Sequence, residues 1–404
     1  MMQAFARQQA ALEGLRQADR FRRLIPRAGH DFSSNDYLGL SVSEVLKEAA
    51  VEALGRGVPV GAGGSRLLRG NDAEHIALEQ EAAAFFGTEA ALFMGGGFNA
   101  NQAIFSALPQ KGDLVLYDAL IHASTHDGMR LGRAETRQFA HNDAKAAADE
   151  IAQWRRAGGC GQIWIAIEAV YSMEGTLAPL TAICALAVQE DAVLVVDEAH
   201  ATGLFGALGR GLAHGIAHRP KVLTLHTCGK ALGASGALIC GARVLIETLI
   251  NRACGFIFAT APSPLNAALV RAGLRDLATN PARRQRAWEN IEHAQAEAAR
   301  LCGLSGFESQ ILPVVLGKEA LCMAVADRLQ RQGFDIRGIR PPTVPQGTAR
   351  VRISITGTLS KPVITDLFER LAPELEAGGL EVAVAQTTAV ENPAVASPVL
   401  ERQV

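Results

Sequence analysis

Between residues 74 and 245 the chain alternates apolar runs with helix-period segments, and this alternation constrains the fold more than any other feature. The runs are AALFMG, DLVLYD, ETRQFA, QIWIAIEAV, AVLVVDEAH, KVLTLHTCGK and SGALICGA. Between them HIALEQEAAAFFG, NANQAIFSAL, IHASTHDGMRLG, DAKAAADEIAQWRRAG and TAICALAVQED read as helices. Most of these strands are apolar at successive rather than alternate positions, so neither face is left for water. Strands of that kind, separated by helices, form a parallel or mostly parallel sheet covered on both sides. Ligands on such sheets bind beyond the carboxyl ends of the strands. The residues that end each run are therefore the first candidates for function.

The flanking segments read differently. Residues 3–24 form an amphipathic helix on the spacing of Phe5, Leu12, Leu15 and Phe21, closed by Pro26. DFSSNDYLGL has turn chemistry, VSEVLKEAAVEALGRG is a helix ending at glycine, and GAGGSRLLRGND is a glycine-rich loop. A helix from Arg243 and a long one near 281–303 lead into SQILPVVLG, EALCMAVADRLQRQG, DIRGIR, ARVRISIT and KPVITDLFERLAPELEAGG, the pattern of a smaller α+β unit. From about residue 385 the chain lacks periodicity and reads as a disordered tail.

At 404 residues, 49% hydrophobic, the chain has ample material for a sizeable core. Its formal net charge of −2 speaks against a nucleic-acid or membrane-surface footprint. Arg20, Arg22, Arg23 and Arg27 do group locally, either as a solvated face or as an entry patch for an anionic substrate. The 7 cysteines form no CxxC pair, and the first twenty residues hold no apolar signal core. Reduced thiols and a cytoplasmic location are expected, with no spanning helix and no metal site.

The strand ends carry the chemistry. Asp197 closes AVLVVD, where a carboxylate is costly without a partner. Such an Asp is as readily a helix cap or a satisfied core acid. Lys230 follows the next strand among small residues, either as a surface lysine or as a desolvated, activated amine. An acid and a lysine on successive strand ends suit pyridoxal phosphate, which needs an amine for its Schiff base and an anion for its ring nitrogen. FMGGGFNANQAIF is a strand, a glycine turn and a helix start, whose free N–H groups at Gly97, Phe98 and Asn99 suit a phosphate; alone, such a turn is also a plain tight connection. His122 stands where an imidazole either stacks on a flat ring or simply caps a helix. His141 has a weaker case of the same kind, and His226 reads as structural.

The ordered series SSNDYLGL, GAGGSRLLRG, GGGFNAN, LIHAS, AHND, AVYSMEG, VDEAHATG, TCGKALG, FIFATAPSP and RPPTVPQGTARVRIS resembles the α-oxoamine synthases, over roughly residues 10–380. These are fold-type I enzymes dependent on pyridoxal 5'-phosphate. The resemblance implies an α/β fold: a large domain with a mostly parallel seven-stranded sheet and a small α+β C-terminal domain. It divides the chain into an N-terminal helix and arm (1–44), a large cofactor-binding domain (45–280), a small domain (281–384) and a tail (385–404). It implies that Lys230 holds the cofactor and moves protons, that Asp197 pairs with the ring nitrogen, and that His122 stacks on the ring. His200 and Ser172 would approach the ring hydroxyl; Gly97, Phe98 and Thr227 would bind the cofactor and its phosphate. Thr260 would reach a neighbouring subunit's phosphate, which implies a homodimer with shared sites. Asn35 and Arg352 would lie near the amino-acid carboxylate, and Arg22, Arg340 and Thr343 at the acyl substrate. FAHND, RPPTVPQGTAR and ADRFRRLIP most resemble members that join L-alanine to a pimeloyl thioester on acyl carrier protein or coenzyme A. Glu198, Ala201 and Cys228 depart from the residues common in the family, and the segment between Arg23 and Asp31 is short.

Three rivals remain at this stage. A glycine- or serine-using relative shares most of these motifs. A cofactor-binding regulator would keep the same residues without turnover. A dinucleotide dehydrogenase is disfavoured because the glycine-rich segment GAGGSRLLRGND follows a helix rather than a strand.

Overall fold

A computed structural model describes residues 5–377. Seven strands form one sheet in the order Ala90–Met94, Ala237–Gly241, Val222–Thr227, Val193–Asp197, Ile163–Glu168, Leu114–Asp118 and Glu135–Phe139. All neighbours run parallel except Ala237–Gly241, which is antiparallel to both of its own. Six strands therefore end at one edge of the sheet, with Val193–Asp197 in the middle. This is the mostly parallel, seven-stranded arrangement expected from the sequence.

The pleat explains why the apolar runs are unbroken. Leu194 and Val196 enter the core on one face, Val193 and Val195 that on the other. Leu114 and Leu116 divide from Val115, and Ile163 and Ile165 from Trp164, in the same way. Every residue of Ile163–Glu168, Val193–Asp197 and Val222–Thr227 is buried. At about 1.5–3 kcal/mol for each fully buried aliphatic side chain, these central strands dominate the stability of the sheet. Helices Gly97–Ala107 and Ala123–Leu131 cover one face; Ala73–Phe86, Ala144–Arg156 and Leu180–Gln189 cover the other.

A second, antiparallel sheet orders Arg337–Ile339, Ala349–Ser354 and Ile311–Gly317. Glu319–Arg331, Pro281–Cys302 and Lys361–Ala377 pack with it, and its buried face joins the larger core. Phe334–Asp335 pairs in parallel with His30–Asp31, tying the chain's start to this unit.

Two readings of the sequence need correction. The N-terminal helix spans Ala6–Gln17, not 3–24, and buries none of its residues. Phe5 and Asp19 take left-handed backbone at φ 69° and 53°, which stops the helix well before Pro26. A further helix, Pro264–Thr279, follows the FIFATAPSP motif in a stretch to which the sequence reading assigned no element; Ser263 caps it and Pro264 starts it. The tail 385–404 lies outside the described residues. Among those residues no helix is long and apolar enough to cross a membrane.

Candidate active site

At the common edge of the strands lies a cavity of about 430 Å³ lined by Asn35, Gly97, Phe98, Asn101, His122, Glu168, Asp197, His200, Thr227 and Lys230, among others. Five separate strand ends deliver all of these groups except Asn35, which comes from the DFSSNDYLGL segment. Each follows from a local rule: an apolar run carries the chain through the core and stops where a polar residue meets the edge.

Asp197 is 8% exposed. Its Oδ1 accepts from the Ala199 N–H at 2.9 Å and its Oδ2 from Asn101 Nδ2 at 2.9 Å. Two donors make a buried carboxylate affordable as an anion. Asn101 Nδ2 also donates to Ser124 Oγ at 3.0 Å. Ser124 in turn stands 2.7 Å from His122 Nδ1, which also accepts from the Ser124 N–H at 3.2 Å. Those contacts occupy the Nδ1 lone pair and place the ring proton on Nε2. His122 therefore caps Ala123–Leu131 and lines the cavity at once. Burial lowers its pKa, so the ring is neutral.

Lys230 Nζ stands 2.8 Å from His200 Nε2, and His200 Nδ1 stands 2.6 Å from the Tyr37 hydroxyl. Tyr37 donates its one proton to Asn35 Oδ1 at 3.1 Å. That oxygen is identified because Arg352 Nη2, which can only donate, bonds it at 3.1 Å. Tyr37 oxygen must then accept from His200, which puts the imidazole proton on Nδ1 and leaves Nε2 as an acceptor facing Lys230. Burial, then the charges of Lys230 and Arg352, hold His200 well below the ordinary histidine range. Burial also pushes the Lys230 ammonium down to about 8, against the opposing pull of Asp197 and Glu168. At neutral pH this raises the neutral amine from about one in a few thousand to about one in ten.

The start of helix Gly97–Ala107 forms another wall. Gly96 offers no side-chain cap, so the first-turn N–H groups at Gly97, Phe98 and Asn99 point outward unpaired. A Cβ on Gly97 would sit 2.5 Å from Thr227 Cγ2, so glycine is what lets this helix start approach the lysine-bearing strand. An amine, an anchored carboxylate, a neutral flat imidazole and a dipole-bearing helix start fit a phosphorylated aldehyde with a basic ring nitrogen.

Other expected residues lie further out. Arg352 is buried, with Nε on the Ser172 carbonyl at 2.6 Å, Nη1 on Ser354 Oγ at 2.7 Å and Nη2 on Asn35. Ser172 is buried beside this guanidinium and donates its N–H to Glu168 at 3.1 Å. Thr260 does not line the main cavity; with Arg66 and Asn99 it lines a smaller one of about 180 Å³. Arg22 donates to Thr343 Oγ1 at 3.2 Å, and Arg340 Nη2 to the Phe21 carbonyl at 2.7 Å, forming a separate group on the arm. His141 joins Asp118 and Thr176, both at 2.9 Å, and His226 is held by Thr202 and Thr224.

Reading the sequence missed Glu168, Asn101 and Tyr37. Glu168 carried a usable signal, since it ends the polar-free run IWIAI as Asp197 ends VLVV. Asn101 was a polar residue on an apolar helix face. Tyr37 carried none, because its partner is 163 residues away.

Comparison with known proteins agrees with this chemistry. The family model for aminotransferases of class I and II matches residues 29–371. An 8-amino-7-oxononanoate synthase from Geobacter sulfurreducens is 42% identical over 330 residues, 80% of this chain and 83% of that protein. One from Anaeromyxobacter dehalogenans is 40% identical over 362 residues, 87% of this chain and 89% of that protein. Among solved structures, a serine palmitoyltransferase from S. paucimobilis superposes with a TM-score of 0.82 at 26% identity, covering 94% of this chain and 99% of its own. The 8-amino-7-oxononanoate synthase of Francisella tularensis gives 0.72 at 28% identity, covering 87% and 99%. The fold is that of the fold-type I enzymes, and pyridoxal 5'-phosphate is the cofactor. This chain belongs to the class I and II aminotransferase family, within its 8-amino-7-oxononanoate synthase branch.

Proposed function

We propose that this chain is an acyltransferase of biotin biosynthesis. It would condense L-alanine with a pimeloyl thioester, on acyl carrier protein or coenzyme A, to 8-amino-7-oxononanoate, carbon dioxide and the free thiol. The observation that carries this reading is the convergence of Lys230, Asp197 and His122 on one cavity, in a chain about 40% identical to synthases of that name.

When bound, pyridoxal phosphate supplies an electron sink for charge developing at the amino acid's α-carbon. In this reading the chain's residues divide the remaining work. Lys230 Nζ would hold the cofactor's aldehyde carbon, and as a free amine it would serve as general base toward the substrate's α-proton. His200 Nε2 accepts a hydrogen bond from Lys230 at 2.8 Å and, with Ser172, would stand at the ring hydroxyl. Asp197 holds the proton on the ring nitrogen, and His122 fixes the ring plane. The N–H groups of Gly97 and Phe98, with Thr227, hold the phosphate. Arg352 and Asn35 orient the alanine carboxylate, and Arg22, Arg340 and Thr343 receive the acyl chain. Thr260 completes the phosphate site of a second copy, so the working unit is a cytoplasmic homodimer. The division at residues 44, 280 and 384 belongs to the same reading.

One observation favours a second reading: the serine palmitoyltransferase shape match is the higher of the two quoted. Pockets discriminate a single methylene by only about 1–3 kcal/mol, so shape alone does not choose the amino acid. Thiol release assayed with alanine, glycine and serine against pimeloyl and palmitoyl thioesters decides. Turnover with alanine and pimeloyl thioester is expected; a preference for serine with palmitoyl thioester would replace the proposal by the second reading.

A further inference from the structure

The cavity floor carries two carboxylates where the proposed function employs one. Glu168 and Asp197 end adjacent parallel strands and are paired in register. Glu168 is 3% exposed. Its Oε2 accepts the Ser172 N–H at 3.1 Å, but its buried Oε1 has no hydrogen-bond partner. Among the described residues no Lys, Arg or His nitrogen forms an ion pair with it. Asp197, by contrast, has a donor on each oxygen.

The surrounding groups leave Glu168 no counter-charge of its own. Lys230 lines the same cavity, but its hydrogen bond goes to His200 and among the described residues it forms no ion pair with either carboxylate. Arg352 is committed to the Ser172 carbonyl, Ser354 and Asn35. Glu174, on the following turn, is paired with Arg350 at 3.0 Å. Asp118, on the strand flanking the other side, is held by His141 and the Asn142 N–H. His122 and His200, across the cavity, are both neutral. Two buried carboxylates side by side each raise the cost of charging the other, and the one with fewer donors keeps its proton.

We propose that Glu168 is a neutral carboxylic acid that offers a hydrogen-bond donor to the cavity and leaves the floor's single negative charge on Asp197. It is a positioning residue: it acts by keeping the Asp197 charge undivided beneath the ring nitrogen. Burial and the neighbouring Asp197 charge both raise its pKa, in agreement with the geometry. This inference rests on the reading that Asp197 serves the ring nitrogen.

Infrared spectra of the cofactor-loaded protein at neutral pH test it. A protonated-carboxyl C=O stretch is expected that disappears in Glu168→Gln; in Asp197→Asn, which removes the neighbouring charge, it is expected to be lost at a lower pH than in wild type. Bands from Glu174 and Glu198, whose pKa values are also raised, remain in both. Glu168→Gln, a neutral isostere, is further expected to keep the pH midpoint of the cofactor's visible band. Infrared spectra in which Glu168→Gln removes no such stretch, or a midpoint displaced by a unit or more, would overturn the proposal. Glu168→Met gives the same infrared readout should the glutamine variant fold poorly. If the Asp197 reading itself is wrong, Asp197→Asn keeps a wild-type visible band, whatever the infrared arm shows, so the two failures are told apart.

Discussion

His200 Nε2 lies 2.8 Å from Lys230 Nζ with its lone pair turned toward the amine, because the Tyr37 hydroxyl oxygen 2.6 Å away accepts a hydrogen bond from the N–H of the other ring nitrogen. The tautomer of a cavity histidine is thus set by a fully buried tyrosine on the DFSSNDYLGL segment. A neutral imidazole in this state accepts a hydrogen bond from the lysine and orients its nitrogen without adding a second positive charge to the cavity.

Tyr37→Phe keeps the ring and removes the hydroxyl. It leaves His200 Nδ1 unpartnered, at a cost of about 1–3 kcal/mol to folding. It also frees the imidazole to present N–H instead of a lone pair to Lys230. Cofactor uptake by the apoprotein, followed by visible absorption at neutral pH, is expected to slow several-fold and to recover as pH approaches 9. An uptake rate and pH profile equal to wild type would show that Tyr37 does not set the tautomer.

Asp197→Asn removes the charge while keeping the shape. Loss of a preorganised electrostatic partner in a water-poor site typically costs about 100–1,000-fold in kcat. A loss of that size, with weaker cofactor binding by equilibrium dialysis, is expected in thiol-release assays. Full turnover at full cofactor occupancy would remove Asp197 from the ring nitrogen.

Glu198 fixes the 206–217 loop by accepting from the Leu212 and Ala213 N–H groups. Burial raises its pKa from 4.5 to about 7. For an acid raised on folding, the native state binds the extra proton, so the linked stability is complete below about 4.5 and is lost as pH climbs to about 7. A shift of this size corresponds to roughly 3 kcal/mol. Urea unfolding of wild type and Glu198→Ala is expected to show a stability difference that narrows by up to that amount between pH 5 and 8. A difference independent of pH would contradict the assignment.

How much of this was legible in the residues depends on the range of the forces involved. Val193–Asp197 and Ile163–Glu168 read as buried strands because a two-sided core requires apolar residues at consecutive positions, a purely local pattern. Asp197, His122 and Lys230 stood out because each interrupts or follows such a run. The N-terminal segment misled: Phe5, Leu12 and Leu15 have helical spacing, yet all three remain exposed, so periodicity there reflects no packing partner within the described chain. The helix Pro264–Thr279 was signalled by its Ser263–Pro264 start but was masked by the adjacent motif. Tyr37 was invisible, since its hydrogen bond to His200 exists only after segments 163 residues apart have met; Asn101 stood out only as a polar residue on an apolar helix face, and its partner Asp197 lies 96 residues away.

The account rests on Lys230 as the point of attachment for pyridoxal phosphate. Borohydride reduction of the cofactor-loaded protein, followed by peptide mapping, fixes that point directly. A single pyridoxyl modification on the nitrogen of Lys230, absent in Lys230→Ala together with turnover, is the predicted result. A modification on another lysine, or normal turnover in Lys230→Ala, would contradict it.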